Sequence, residues 1–371
     1  MSRINVTRSS MPSFEEYLEV LRPVWESRWL SNRGVASKEL EEALRKYLDC
    51  ENVWLFANGH VALEVALQSL DLNKVMPEGI RGEVITTPYT HVSTTEAIVR
   101  NGLEPVFVDV KEDNYTINPE LIEDAVTDKT VAIVATHVYG FLCDVKVIER
   151  IARKHNLKVV YDAAHAFGVT LDGVSAANFG DAAMFSTHAT KIFHTIEGGI
   201  VTYKDAELFN PMKHIVNFGF ITPEEVVYIG TNARMNEFEA AMGICNLRHL
   251  DAEIAKRKVI GDRYAERLDG VKGIKLIKPE KNLDWNYAYY PIIFDGYKEN
   301  RDEIKAKLEA ENIFPRKYFY PITNKFACFT EKYGDVNVPV AAHAANSVLC
   351  MPMYSDLTLE ETDRICDIIL Y

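Results

Sequence analysis

Residues 131–137 read Val-Ala-Ile-Val-Ala-Thr-His, and residues 158–165 read Lys-Val-Val-Tyr-Asp-Ala-Ala-His. Each is a short β-rich apolar run closed by a polar side chain. Between them, Val145–His155 carries the period of an amphipathic helix. Strand, helix and strand at this interval predict parallel pairing through a crossover helix. The pattern extends both ways. Further runs lie at Glu83–Thr87, Pro105–Asp109, Ala182–Ser186 and Ile200–Thr202, with helical stretches at Thr94–Asn101 and Pro119–Val126. Near-continuous apolar runs suit strands buried on both faces. The predicted class is α/β, with a mostly parallel mixed sheet between helices. In such sheets ligands bind beyond the carboxyl ends of the strands. Asp109, His137, Asp162 and the Ser186–Lys191 stretch close these runs and are the first places to look for chemistry.

The character changes after about residue 236. Glu237–Leu268 reads as one long charged helix, Tyr289–Phe294 as a strand, and Arg301–Asn312 and Leu359–Ile369 as amphipathic helices. A length of 371 residues accommodates two units. The expected division is a large domain over residues 1–250 and a smaller α+β domain over 251–371, with the N-terminal segment packing on the latter.

Composition narrows the function. The net charge is −13, from 41 Lys+Arg against 54 Asp+Glu, which disfavours nucleic-acid polymers and anionic membranes as partners. An anionic substrate would then need a locally cationic or amide-rich pocket. No stretch has the length of a membrane span or the character of a signal peptide. The six cysteines are scattered without a C-x-x-C pair, which argues against zinc ribbons and fits a reducing, cytoplasmic setting. There is no G-x-G-x-x-G after a strand, no P-loop, no H-E-x-x-H and no G-x-S-x-G.

Four motifs remain. In Val159-Val-Tyr-Asp162-Ala-Ala-His165, the aspartate reads equally as a cap or as a buried carboxylate kept ionised by a cation, such as a protonated pyridine nitrogen. In Ser186-Thr-His188-Ala-Thr-Lys191, followed by Gly198-Gly199, a lysine lies just past a strand among hydroxyls and apolar groups. A lone lysine is usually a solvated surface residue. One in a partly dry pocket has a lowered pKa and serves as an amine nucleophile toward an aldehyde. Asp162 and Lys191 on successive strands match the needs of pyridoxal phosphate. Asn58-Gly59-His60 opens a helix, either as an ordinary cap or as a phosphate site at the helix N-terminus. Gly230-Thr-Asn232-Ala-Arg234 precedes the long helix, either as a loop and cap or as phosphate-binding groups.

In order and spacing these motifs resemble the DegT-type sugar-nucleotide aminotransferases, which are fold-type I pyridoxal phosphate enzymes. The likeness runs almost the whole chain, from Ser31-Asn-Arg-Gly34 and Glu39-Leu-Glu41, through Thr136-His-Val-Tyr-Gly140, to Val348-Leu-Cys-Met-Pro352. The resemblance implies roles. Lys191 would form the Schiff base and shuttle the proton, and Asp162 would pair with the pyridine nitrogen. His165 would lie beside the ring hydroxyl. Ser186 and the amides of Gly59 and His60 would take the phosphate, joined by Asn232 from the other subunit of a homodimer with shared active sites. His91 would stack on the ring, with Tyr89 as the fallback. Arg234, Tyr318 and His188 would serve the substrate.

The resemblance also implies a reaction. L-Glutamate converts the cofactor to pyridoxamine phosphate, which aminates a nucleotide-linked keto sugar. The His188-Ala-Thr-Lys191 wording is similar to members acting at C4 of a dTDP-linked 6-deoxy sugar. That points to dTDP-4-dehydro-6-deoxy-D-glucose and surface-glycan or O-antigen synthesis. The alternatives are a C3 aminotransferase, a GDP- or UDP-linked substrate, a fold-type I lyase and a non-catalytic cofactor-binding regulator. A related class that dehydrates its sugar has histidine in place of the lysine, and Lys191 is present here.

Overall fold

The computed structural model describes residues 3–371. Seven strands form the main sheet: β1 (Val53–Phe56), β2 (Glu83–Thr86), β3 (Glu104–Phe107), β4 (Thr130–Thr136), β5 (Lys158–Asp162), β6 (Ala182–Ser186) and β7 (Gly199–Tyr203). Their spatial order is β1-β7-β6-β5-β4-β2-β3. All neighbours run parallel except β7, which is antiparallel to both β1 and β6. The sheet is therefore the mostly parallel mixed sheet anticipated from the sequence. Strand β1 is an addition. Its four-residue run Val-Trp-Leu-Phe is fully buried and too short to show a period.

Side-chain alternation explains why both faces need covering. Leu55, Ile133, Ala135, Phe185 and Ile200 enter one apolar core, while Trp54, Phe56, Val134, Met184 and Val201 enter another on the opposite face. Among the helices packed on these faces are α1 (Phe14–Ser27), α2 (Val35–Leu48), α3 (Gly59–Ser69) and α4 (Val92–Arg100), and the starts of α3 and α4 border the site. Helix α5 (Val145–His155) makes the crossover between β4 and β5. A third core surrounds the antiparallel sheet of β8 (Ile274–Leu276), β9 (Tyr290–Phe294) and β10 (Val348–Met351), in that order. Ile4 and Asn5 pair in parallel with Ile313 and Phe314, so the N-terminal segment lies with this C-terminal layer.

Helix α6 (Glu237–Leu268) joins the layers. A division after residue 250 falls inside it. Its start is capped by Asn236 and Glu239 in a reciprocal capping box. Its first residue does more. Glu237 is fully buried, and its carboxylate accepts from the amides of Gly34 (2.8 Å), Ala36 (2.8 Å) and Ser37 (3.2 Å) and from the Ser37 hydroxyl. Helix α2 has no side-chain cap of its own at Gly34, so Glu237 satisfies its first turn from 200 residues away. A Cβ on Gly34 would lie 2.7 Å from that carboxyl, which is why the position is glycine. Among the described residues, no helix is long and apolar enough to cross a membrane.

Replacing Glu237 by Ala strands three buried amides. It should lower the folding free energy by about 3 kcal/mol or more, at roughly 1–3 kcal/mol per unsatisfied group. Glu237→Gln, which keeps an acceptor, should lose less. Denaturant midpoints of the two variants check the order.

Candidate active site

The carboxyl ends of β5 and β6 and the N-termini of α3 and α4 surround an open cleft of about 470 Å³. This is the size of a small-molecule site. Gly59, His60, His91, Asp162, His165, Ser186, His188, Lys191 and Tyr318 all line it. Of the four strand ends singled out from the sequence, two belong elsewhere. Asp109 accepts from the amides of Val340 and Ala341, both at 2.8 Å, and caps the helix Pro339–Ser347. His137 is fully buried against the Tyr161 ring, and its Nδ1 accepts from the Cys143 amide at 3.1 Å. Both are structural.

Asp162 is the buried anion of the cleft. Its Oδ2 accepts from the Thr94 hydroxyl at 2.6 Å and its Oδ1 from the Ala164 amide at 3.1 Å. Thr94 in turn meets Thr90 at 2.8 Å, and Thr90 meets Thr136 at 2.9 Å. This hydroxyl chain across α4 and β4 fixes the carboxylate, and none of its members was singled out in the sequence. Threonines in a helix start carry no distinctive pattern.

Lys191 sits in the tight loop between β6 and β7. The loop is closed by Thr187 N to the Gly198 carbonyl (2.9 Å) and by Lys191 N to the His188 carbonyl (2.8 Å). Gly199 is required because a Cβ there would stand 2.5 Å from the Asn58 carbonyl oxygen. From outside, the N-terminal segment straps this loop. The Ser9 hydroxyl donates to the Ala189 carbonyl at 2.6 Å, and His194 Nε2 donates to the Ser10 carbonyl at 2.6 Å. Val6 O accepts from Met353 N at 3.0 Å, which fastens the strap to the C-terminal layer. The Lys191 amine donates to the Tyr289 hydroxyl at 3.3 Å. Burial pushes its pKa down from 10.5 to about 8, against the opposing pull of Asp162 and Tyr318. Tyr289 is the second residue the sequence did not betray. It was read only as the start of a strand.

The remaining residues frame these two. His165 Nδ1 accepts from the Tyr139 amide at 3.0 Å, and burial holds the ring well below its usual pKa. It is therefore neutral, with its proton on Nε2. His91 caps α4, and burial lowers its pKa as well. Tyr89 does not reach the cleft. It is fully buried, with its hydroxyl 2.6 Å from that of Tyr139, so the fallback stacking role is excluded by its position. His188 pairs with Glu197 at 3.5 Å at the rim. The Tyr318 carbonyl accepts from the Tyr139 hydroxyl, while its ring edges Tyr289.

Asn232 and Arg234 do not join this cleft within one chain. Arg234 donates to Asn232 (2.9 Å), Asn32 (2.7 Å) and Asn217 (2.7 Å) in a separate depression beside Arg33 and Trp54.

The donor set fits pyridoxal phosphate. A lysine with lowered pKa and a buried carboxylate share the cleft. Asn58 takes the Val61 amide at 2.9 Å, and the amides of Gly59 and His60 have no intrahelical acceptor. A Cβ on Gly59 would lie 2.8 Å from Ser186 Cβ, so glycine keeps the turn open toward the Ser186 hydroxyl.

The comparisons agree with this chemistry. The DegT/DnrJ/EryC1/StrS aminotransferase family matches residues 13–370. A dTDP-4-amino-4,6-dideoxy-D-glucose transaminase from Shigella dysenteriae is 38% identical over 98% of this chain and 97% of its own. One of the same name from Escherichia coli is 38% identical over 99% and 98%. The crystal structure of DesI in the presence of its TDP-sugar product superposes with a TM-score of 0.92 at 29% identity, covering 100% of this chain and 92% of that one.

In protein free of cofactor, the Lys191 amine should acylate with a midpoint near pH 8, because the neutral fraction rises as pH passes the lowered pKa. Asp162→Asn removes an anion that holds this pKa up, so the midpoint should move below 8. Mass-spectrometric labelling of the Lys191 peptide across pH reads both. The chain belongs to the DegT/DnrJ/EryC1/StrS family of aminotransferases, whose cofactor is pyridoxal phosphate.

Proposed function

We propose that this aminotransferase moves the amino group of L-glutamate onto C4 of a dTDP-linked 4-keto-6-deoxy sugar, dTDP-4-dehydro-6-deoxy-D-glucose. The observation that carries the reaction is Lys191, with its pKa lowered to about 8, in one cleft with the buried carboxylate of Asp162. The substrate is supported by the two relatives at 38% identity.

When bound, pyridoxal phosphate supplies an electron sink that allows a C–H bond beside an amino group to be broken reversibly. The chain supplies the rest. Asp162, held by Thr94 and the Ala164 amide, would pair with the ring nitrogen and keep its proton in place. Ser186 and the amides of Gly59 and His60 take the phosphate at the positive end of α3. His165, with its proton on Nε2, would donate to the ring oxygen, and His91 would cover the ring face. Lys191 Nζ would take the proton from the donor's Cα and deliver it to the cofactor's C4′, and in the second half-reaction would carry a proton from that carbon to C4 of the sugar. Acting as base and then acid demands a pKa near the working pH, which burial provides. Tyr318 and His188 border the sugar side of the cleft.

A second copy completes the site in this reading. Asn232 and Arg234 stand outside their own chain's cleft. The adjoining arm exposes Phe218, Ile221, Val226, Val227 and Ile229, the last 92% exposed. An apolar arm of this kind supports coverage by a partner copy. The homodimer works in the cytoplasm, feeding surface-glycan or O-antigen synthesis.

Lys191→Ala should lower turnover by at least about 10³-fold, since a group that acts as both base and acid is lost. Product NMR after incubation with glutamate and dTDP-, UDP- and GDP-linked 4-keto-6-deoxy sugars should show an equatorial or axial amine at C4 of the dTDP sugar. An amine at C3, or preference for another nucleotide, overturns the substrate assignment. Failure of glutamate to bleach the cofactor's visible absorption overturns transamination from glutamate.

A further inference from the structure

Asn286 stands just ahead of β9 in the C-terminal layer, fully buried and outside the lining of the cleft. A neutral amide in an apolar layer is costly unless its polar atoms are matched. Here the backbone matches them. Asn286 Nδ2 donates to the carbonyls of His165 (2.8 Å) and Phe167 (2.9 Å), and its Oδ1 accepts from the Ala288 amide at 3.0 Å. Two carbonyls demand donors and one amide demands an acceptor, so these partners fix which way the side-chain amide points. The chain also makes room for it. Gly140 has a φ of +89°, and a Cβ there would stand 2.7 Å from Asn286 Oδ1.

The two carbonyls belong to the turn that follows β5. That turn is closed by Ala166 N to the Ala163 carbonyl at 2.9 Å, and its Ala164 amide holds Asp162. It presents His165, whose Nδ1 accepts from the Tyr139 amide. The residue beside Asn286 reaches the same place, because Trp285 Nε1 donates to the Tyr139 carbonyl at 2.9 Å. Two adjacent side chains of the C-terminal layer thus hold His165 twice, at its own backbone and at the residue that anchors its ring. The ring packs parallel to Phe319, with 5.8 Å between centroids, which leaves rotation of the turn as the main way to re-aim it.

We infer that Asn286 is a positioning residue, which aims the His165 Nε2–H into the cleft by gripping the backbone of His165 and Phe167. This rests on the reading in which His165 donates to the cofactor's ring oxygen. A donor on a turn is only as precise as the contacts that hold the turn, and small displacements of such a group are expensive in rate. A residue that merely filled space could be any side chain of this size. The partners of Asn286 accept only an amide, since a carboxylate of the same shape would set oxygen against two carbonyl oxygens.

Two readouts on the full-length holoenzyme test it. The first is amide hydrogen exchange over residues 163–169, which is independent of any role for His165. Asn286→Leu is neutral and close in volume, and it removes both donors. It should speed this exchange about tenfold or more. Asn286→Ser keeps one donor for two carbonyls and should speed it less, and it carries both readouts if the leucine variant does not fold. Exchange at the start of α2, which Glu237 caps, should be unchanged in both. The second readout is the pH midpoint of the cofactor's visible absorption. A donor on the ring oxygen favours its anionic form, so losing that donor raises the midpoint. His165→Ala should raise it by about one pH unit, and Asn286→Leu by part of that. In the His165→Ala background Asn286→Leu should add nothing, whereas a merely structural defect would add its shift again. Unaltered exchange overturns the inference. So does a midpoint shift that persists without His165, or a shift in His165→Ala that neither Asn286 variant reproduces in part. If His165→Ala itself leaves the midpoint in place, it is the placement of His165 at the ring oxygen that fails, and the exchange alone decides whether Asn286 holds the turn.

Discussion

The site depends on one buried negative charge. Asp162 stands buried at the carboxyl end of a central strand, with two neutral donors and, among the described residues, no cation within ion-pair range. A hydroxyl and an amide point at that carboxyl group, and a cation brought beside it would complete its pairing. The same charge acts on Lys191. Burial alone would drive the amine further down, and the aspartate holds it near neutrality. One side chain therefore places an acid group in the cleft and opposes the desolvation of the Lys191 amine.

The frame around this charge is rigid for reasons of packing. Sheet faces that alternate between two cores leave no side free to shift, and the β5 and β6 ends are locked in register through Asp162 and Met184. Helix α2 is capped from another part of the chain by Glu237, so the layer carrying α6 is tied to the layer beneath the cleft. The reactive loop is closed internally by its own amides and externally by the strap of residues 6–10.

Much of this was legible in the sequence, and the reasons differ by residue. Strands β4, β5 and β6 and helix α6 announce themselves because β-branched runs and a long 3.6-residue period are strong local signals. Asp162 and Lys191 stood out because a carboxylate and an amine follow strands whose carboxyl ends face one way. Asp109 obeyed the same rule and turned out to be a helix cap, since the rule locates strand ends without saying which helix start lies opposite. Thr94 and Tyr289 were invisible. Their roles arise from neighbours 68 and 98 residues away, and nothing in their immediate context distinguishes them from core residues. Strand β1 was missed because four buried residues show no alternation. Tyr89 stands directly before the cleft-lining Thr90 and still points wholly into the core, a choice of side that the sequence does not mark.

The strap has a consequence for how the molecule is made. Ile4 finds its partner at Ile313 and Val6 at Met353. Residues 4–6 thus depend for their placement on partners more than 300 residues away in the chain. Contacts of such long sequence separation close late, after their loop entropy has been met by the rest of the fold. The sheet and its charged cleft can assemble while the loop bearing Lys191 still lacks its outer support. The outer support of the Lys191 loop, from Ser9 and Ser10, is thereby coupled to the C-terminal layer through these contacts of long sequence separation.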